Sequence, residues 1–236
     1  MTEPVAILAG GMATRLGPAA RHVPKILIDV AGRPFAEHQL DRLQREGIER
    51  VVYCVGHLAA QVRAALGDGS RWGMTFAYVE DGPELLGTGG AIRRALPDLG
   101  DRFFVMYGDS YLTCSMRDVA RAFDRSGQPA LMTVFQNDNR WDGSNVRYRD
   151  GRIERYDKAQ PTPDMRHIDY GLGMLTAGVF EPYREGARLD LADVYGALAR
   201  AGTLAGYEVP ERFYEIGSHE GLAETRAFLA ARKDPS

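Results

Sequence analysis

Over its first 135 residues the chain sets short uninterrupted apolar blocks between segments whose apolar positions recur every three or four residues. Residues 5–9 (Val-Ala-Ile-Leu-Ala), 51–55 and 103–107 are such blocks, 130–135 is a fourth, and 74–79 alternates. A strand with no polar alternation is covered on both faces, as in a parallel sheet built from βαβ units. The helical period predicts helices over 35–46, 58–66, 88–96 and 116–125, the first two closed by Gly47 and Gly67. Between the first block and the first helix lie a Gly-rich loop (10–24), a strand-like run (26–30) and a turn at 31–34.

The second half reads differently. Residues 146–149 and 153–156 flank Asp150-Gly151 and predict a hairpin. Strands at 171–176 and 203–209 and helices over 191–201 and 219–231 complete the series. With no repeat, low-complexity segment or long linker, the reading is one α/β domain, a Rossmann-like, mostly parallel sheet flanked by helices. It divides into a nucleotide-type half (1–135) and a half for a second ligand (136–236).

Composition narrows this only slightly. A chain of 236 residues, 44% hydrophobic and 26% charged, with a net charge of −3, can bury a full core. It gives no electrostatic reason to bind duplex nucleic acid. No apolar run approaches a membrane span, the N-terminus lacks a signal-peptide pattern, and Cys54 and Cys114 sit in apolar surroundings. The expectation is a cytoplasmic protein with reduced thiols and neither membrane nor nucleic-acid partners. Basic residues number 29, yet the only lysines are Lys25, Lys158 and Lys233. In so arginine-rich a chain, each internal lysine points to a place that needs a compact ammonium.

The strongest local signal follows the first strand: Leu8-Ala9-Gly10-Gly11-Met12-Ala13-Thr14-Arg15-Leu16-Gly17, then Pro24-Lys25. Glycines here let backbone N–H groups wrap an anion, and Arg15 and Lys25 add a planar fork and a point charge for phosphate oxygens. The loop lacks the Gly-Lys-Ser/Thr of a Walker sequence and the Gly-x-Gly-x-x-Gly of a dehydrogenase.

Together with Gly87-Thr88-Gly89-Gly90-Ala91, Gly108-Asp109, Asp157-Lys158 and Tyr214-Glu215-Ile216-Gly217, this pattern resembles the sugar-1-phosphate nucleotidyltransferases over nearly the whole chain. Within them it is most similar to the short enzymes that include heptose-1-phosphate guanylyltransferases. The resemblance implies a GT-A-like fold and transfer of a nucleoside monophosphate from an NTP to a sugar 1-phosphate, with Mg²⁺ as cofactor. It implies nucleotide binding by Leu8, Ala9, Gly10, Gly11, Ala13, Thr14, Arg15 and Lys25, and by Leu85, Gly87, Thr88 and Gly89 of a second loop. Asp109 and Glu215 would hold the metal, although the family's usual residue at the second place is Asp. Ala13 is a further departure, since the family usually has Gly there. Arg15, Lys25, Asp109 and Lys158 form the catalytic set. Asn145, Asp157, Lys158, Asp169 and Tyr170 fall where the sugar phosphate would bind, and a homodimer is common among such relatives.

At the nucleobase, Leu85 stands where pyrimidine-specific relatives often carry Gln, which turns the expectation toward a purine, GTP first, with Glu84 as acceptor for guanine N–H groups. A heptose 1-phosphate is the expected sugar; ATP, CTP, UTP and hexose 1-phosphates are the alternatives. A glycosyltransferase would carry Asp-x-Asp, absent here, and a non-catalytic binding subunit would have lost Arg15, Lys25 or Asp109. The five histidines show no metal-ligand spacing, and no Gly-x-Ser-x-Gly elbow is present.

Overall fold

The computed structural model describes residues 3–11, 22–56, 58–82 and 84–232. The first apolar block is strand β1 (Val5–Leu8), whose first three residues have no solvent exposure. Residues 26–30 do not make the expected strand. Pro24 and Lys25 accept from the N–H groups of Leu27 and Ile28, closing a 3-10 turn over Lys25–Leu27. What remains is a two-residue strand, β2 (Asp29–Val30), paired with β3 (Arg33–Pro34) around the left-handed pair Ala31 and Gly32. Then come α1 (Phe35–Arg45), β4 (Arg50–Val55), α2 (Ala59–Leu66), β5 (Thr75–Glu80), α3 (Gly87–Leu99) and β6 (Arg102–Tyr107). A short β7 (Ser110–Tyr111), α4 (Met116–Ser126) and β8 (Ala130–Gln136) follow.

The hairpin is β9 (Val146–Arg149) and β10 (Arg152–Tyr156). The chain closes with β11 (His167–Thr176), α5 (Leu191–Ala201), β12 (Leu204–Glu208), β13 (Tyr214–Glu215) and α6 (His219–Ala231). Among the described residues, nine strands form one sheet in the order β5-β4-β1-β6-β11-β8-β12-β10-β9. The first four are mutually parallel; β11 is antiparallel to both β6 and β8, and β12 is parallel to β8. β11 and β10 therefore run against the other seven strands.

Strands buried on both faces need helices on both sides, and two apolar layers supply them. Val5 and Ile7 belong to the layer that also holds Leu40 of α1, Val62 of α2 and Val119 of α4. Ala6 faces the other way, toward Ile92 of α3 and Val194 of α5. A third, smaller core joins Val30, Phe35, Tyr111, Ile216 and Leu222, seating α6 beside the end of β6. No helix among the described residues is long and apolar enough to cross a membrane.

The Gly87-Thr88-Gly89-Gly90 segment owes much of its composition to packing. Gly87 has φ +74°, and a Cβ there would stand 2.6 Å from the carbonyl oxygen of Leu189. Thr88 Oγ1 donates to Asp190 Oδ1 and accepts from the Leu191 N–H, locking the start of α3 to the start of α5. Gly87→Ala combines a left-handed alanine with a backbone clash and is expected to cost roughly 2 kcal/mol. The check is the urea midpoint, which should fall with an unchanged m-value.

Candidate active site

A parallel sheet delivers its chemistry at the carboxyl ends of its strands, where connecting loops leave a crevice. β1 ends there at Leu8, followed by Ala9, Gly10 and Gly11, and β6 ends at Tyr107, followed by Gly108 and Asp109. The loop after β6 is held from below by Gln39 of α1, whose Nε2 donates to the carbonyls of Tyr107 (3.2 Å) and Ser110 (2.8 Å). The 3-10 turn carries Lys25 to the same place, with Nζ 3.0 Å from Asp109 Oδ2. Both side chains are partly covered, 18% and 35% exposed, so neither charge is fully hydrated.

Glu215 arrives through a two-stranded ribbon. β13 pairs antiparallel with β7, setting Glu215 opposite Ser110 and Tyr214 opposite Tyr111, and the Ile216 N–H donates to the Asp109 carbonyl at 3.0 Å. Glu215's carboxylate accepts from the N–H groups of Gly217 and Ser218 and from the Ser218 hydroxyl, so it braces the N-terminus of α6. Gly217 is where the charged groups converge. A Cβ on it would lie 2.8 Å from Glu215 Oε2 and 3.5 Å from both Asp109 Oδ2 and Lys25 Nζ.

Two carboxylates at one point, with room beyond them for phosphate oxygens, fit a small hard cation such as Mg²⁺. Among the described residues no third His, Cys, Asp or Glu joins them, so substrate oxygens and water would complete any coordination. The residues fit the ion on that footing.

Two cavities open on either side of this junction, and Lys25, Tyr107 and Asp109 line both. The smaller, about 300 Å³, is walled by Leu8, Ala9, Gly10, Gly11, Leu85, Gly87 and Thr88. Of the residues expected to bind nucleotide, these fall together. Glu84 is exposed and Gly89 packs on Leu189, and neither lines the cavity. Ala13, Thr14 and Arg15 lie outside the described residues. The acid that does line this cavity is Asp81, just beyond β5 and only 8% exposed. Burial raises its carboxyl above the usual range, against the opposing pull of the Leu86 N–H and Arg94. Asp81 directly follows β5 as Asp109 closely follows β6, but no motif marks it in the sequence.

The larger cavity, about 900 Å³, holds Asn145, Lys158, Asp169 and Tyr170 together with Ser110, Glu215 and Gly217. Asp169 is buried in its wall, with its side chain 5% exposed. Asp169 Oδ2 accepts from the hydroxyls of Tyr107 (3.0 Å) and Tyr156 (3.2 Å), and Oδ1 accepts from the Gly171 N–H (3.0 Å). Burial, then the adjacent carboxylate, pushes both phenols up, so they remain donors. Lys158 Nζ lies 3.9 Å from Asp169 Oδ2 and 3.4 Å from Tyr107 Oη, over the rings of Tyr107 and Tyr156.

Three expected sugar-side residues have other duties. Asn145 Oδ1 accepts from the Asp169 N–H while lining the cavity. Tyr170's hydroxyl lies 3.1 Å from the Thr113 N–H and hydroxyl. Asp157 lines neither cavity; it pairs with Arg155 and accepts from the N–H groups of Ala159 and Gln160, shaping the turn that carries Lys158. Tyr107 went unnoticed in the sequence because it looks like the last residue of an apolar strand. Cys54 and Cys114 are both pushed up to about 12 by burial, which keeps them thiols rather than nucleophiles.

Residues 5–223 match the MobA-like NTP transferase domain. The chain is 29% identical to the N-acetylmuramate alpha-1-phosphate uridylyltransferase of Neisseria meningitidis, over 96% of its own length and 98% of the relative's. It is 30% identical to the mannose-1-phosphate guanylyltransferase of Mycobacterium tuberculosis, covering 98% of this chain and 65% of that one. It spans about half, 51%, of the glucose-1-phosphate thymidylyltransferase of Streptomyces antibioticus, to which it is 31% identical over 75% of its own length. A putative glucose-1-phosphate thymidylyltransferase from Bacillus anthracis shares the fold with a TM-score of 0.86 at 21% identity, covering 100% of this chain and 98% of that one. HddC from Yersinia pseudotuberculosis does so with a TM-score of 0.78 at 23% identity, over 97% and 100%. A loop-flanked strand end and a domain match that runs through both cavities lead to one assignment: the chain belongs to the MobA-like NTP transferase domain family.

Proposed function

We propose that this protein is a sugar-1-phosphate nucleotidyltransferase that joins the nucleoside monophosphate of an NTP to a sugar 1-phosphate, releasing pyrophosphate. The observation that carries the reading is the shared wall. Two cavities of unlike character meet at Lys25, Tyr107 and Asp109, so ligands in each would touch phosphate to phosphate there.

The attacking oxygen of a sugar 1-phosphate is already largely dianionic near neutrality, since its second pKa is ~6, and no side chain has to remove a proton. What the protein supplies is position and charge, bringing two anions into line against their repulsion. Lys25 takes the α-phosphate, exchanging its contact with Asp109 for phosphate oxygens. Lys158, steadied by Asp169 and Tyr107, holds the incoming phosphate. Arg15 takes the β- and γ-phosphates by its place in the sequence pattern. The new bond forms between the sugar phosphate oxygen and the α-phosphorus, and the bond to pyrophosphate breaks on the opposite side. A divalent cation held by Asp109 and Glu215 supplies Lewis-acid neutralisation of the phosphate oxygens when bound. The half-buried residues around the junction keep the electrostatic interactions strong by limiting hydration.

For the nucleotide, GTP is the reading, with ATP, CTP and UTP as alternatives. Asp81 supports it in place of Glu84, because a carboxylate in the cavity wall accepts from guanine N1–H and N2–H₂ together, a pairing other bases do not offer. Leu85, 59% exposed at the same cavity, offers an apolar surface for the base. The relative that acts on mannose 1-phosphate is also a guanylyltransferase by name. A heptose 1-phosphate is the sugar skeleton the sequence pattern favours.

Pyrophosphate release from a panel of four NTPs and several sugar 1-phosphates tests the reaction. Lys25→Ala and Asp109→Ala should each lower turnover at least ~100-fold with the fold retained by circular dichroism; wild-type rates in either would end the scheme. Asp81→Asn has two expected outcomes. Preference for GTP over ATP should fall at least about tenfold. Stability should respond to pH as well. A carboxyl held above its unfolded value binds its proton more tightly when folded, so its contribution is complete at low pH and is lost as pH rises through the raised value. The Asn variant, which never ionises, should therefore gain in Tm relative to the parent between pH 4 and pH 7; equal Tm differences at both ends would contradict the assignment.

A further inference from the structure

Beyond the phosphate-holding groups, the larger cavity has a second cationic corner. The loop over residues 137–145 is knitted by its own side chains. Asn137 Nδ2 donates to Ser144 Oγ at 3.3 Å, and the Ser144 N–H donates to Asn139 Oδ1 at 2.8 Å. This frame presents Trp141 at 45% exposure, its ring 5.5 Å from that of Phe135 and tilted to it. Two guanidinium groups come to that one indole: Arg212 at 4.5 Å and Arg140 at 5.3 Å from its centroid. All three side chains line the cavity. Arg212 also lies 4.9 Å from the Tyr214 ring, which stacks on Phe228 of α6 at 3.8 Å, so its position is fixed by packing.

Each of these cations has a carboxylate partner, Glu224 for Arg212 and Asp138 for Arg140, and keeps further N–H donors beyond those it uses. Glu224 accepts from Arg212 at 2.6 Å. Asp138 is held chiefly by Arg166 at 2.7 Å and only distantly by Arg140 at 3.7 Å. Asp142 accepts from the Gly143 N–H, and Glu220 sits in the first turn of α6, where the helix dipole favours its charge. Each guanidinium has five N–H donors. Arg140 donates one to the Asn137 carbonyl; Arg212 donates to the Phe213 carbonyl and to Glu224. Two planar guanidinium forks beside one ring present several N–H donors to a single ligand. A carboxylate or phosphate uses them through paired N–H contacts.

We propose that the sugar 1-phosphate carries a second oxyanion, remote from C1, and that Arg140 and Arg212 bind it with the sugar ring against Trp141. The inference rests on the nucleotidyl-transfer reading and names the class of its sugar substrate. A carboxylate and a phosphate share the chemistry, and the choice of probes separates them.

The experiment compares kcat/KM, by pyrophosphate release with the best NTP, for glucose 1-phosphate, glucuronic acid 1-phosphate and glucose 1,6-bisphosphate. One of the two acid-bearing sugars should exceed glucose 1-phosphate at least about tenfold, and which one does so identifies the oxyanion. Arg212→Ala and Arg140→Gln should each reduce that ratio by about fivefold or more, mainly through the sugar KM. Arg140 is on an exposed side chain, so its variant keeps the test valid if loss of the Arg212 stack disturbs folding. Equal kcat/KM for the three sugars, or a ratio that survives both substitutions, overturns the inference and leaves the transferase reading standing. Pyrophosphate from none of these three, nor from a heptose 1-phosphate, with any NTP overturns both.

Discussion

The ammonium of Lys25 and the carboxylate of Asp109, 3.0 Å apart and partly shielded from water, are each other's main electrostatic partner across 84 residues of chain. Half-hydrated charges of opposite sign stabilise one another, and each is also the natural competitor's target: a phosphate for the lysine, a cation for the aspartate. The surrounding structure serves to hold that pair at a strand end. Gln39 fixes the loop that carries Asp109, the 3-10 turn fixes Lys25, and the β7–β13 ribbon brings Glu215 alongside. Gly217 leaves the space in which the three groups approach.

A second constraint joins the halves of the molecule. By running antiparallel between β6 and β8, β11 sets Leu172 opposite Met106 and so carries Asp169 to the end of β6. The register shifts between Asp169 and Gly173, where Gly171 takes φ +96°. That irregularity lets Asp169 turn inward to Tyr107 and Tyr156 instead of continuing the ladder. The tyrosines and the carboxylate then form a seat for Lys158. The ammonium on the sugar side is thereby tied to a residue, Tyr107, that also walls the nucleotide side.

Much of this was legible before any coordinates. Continuous apolar blocks announced the parallel strands, and the helices followed from their period, most within a few residues of where they fall. Lys25, Asp109, Lys158, Gly10 and Gly11 stood out by residue type and place, and Glu215, Leu85 and Thr88 through the family resemblance. What escaped did so for physical reasons. Strands of two residues, β7 and β13, have no period to detect, yet they align Asp109 with Glu215. The run at 26–30 has strand-like composition, but its hydrogen bonds close locally after Pro24. β11 was read too short because Asp169 interrupts an apolar run, and a polar residue satisfied by buried tyrosines cannot be distinguished from a loop residue without its partners. Glu84 and Asp157 show the converse: acids in the right segment whose side chains serve the surface or a turn. Asp81, three residues before Glu84, faces the cavity instead.

Two phosphorylated ligands meeting at Lys25 and Asp109 are tested most directly by a crystal structure with the nucleotide-sugar product bound. The diphosphate should lie across Lys25, Asp109 and Lys158, with the nucleoside in the cavity of Leu85 and Asp81 and the sugar in the cavity of Trp141 and Asp169. A product whose diphosphate lies away from the Lys25–Asp109 pair, or whose nucleoside occupies the larger cavity, would contradict this arrangement.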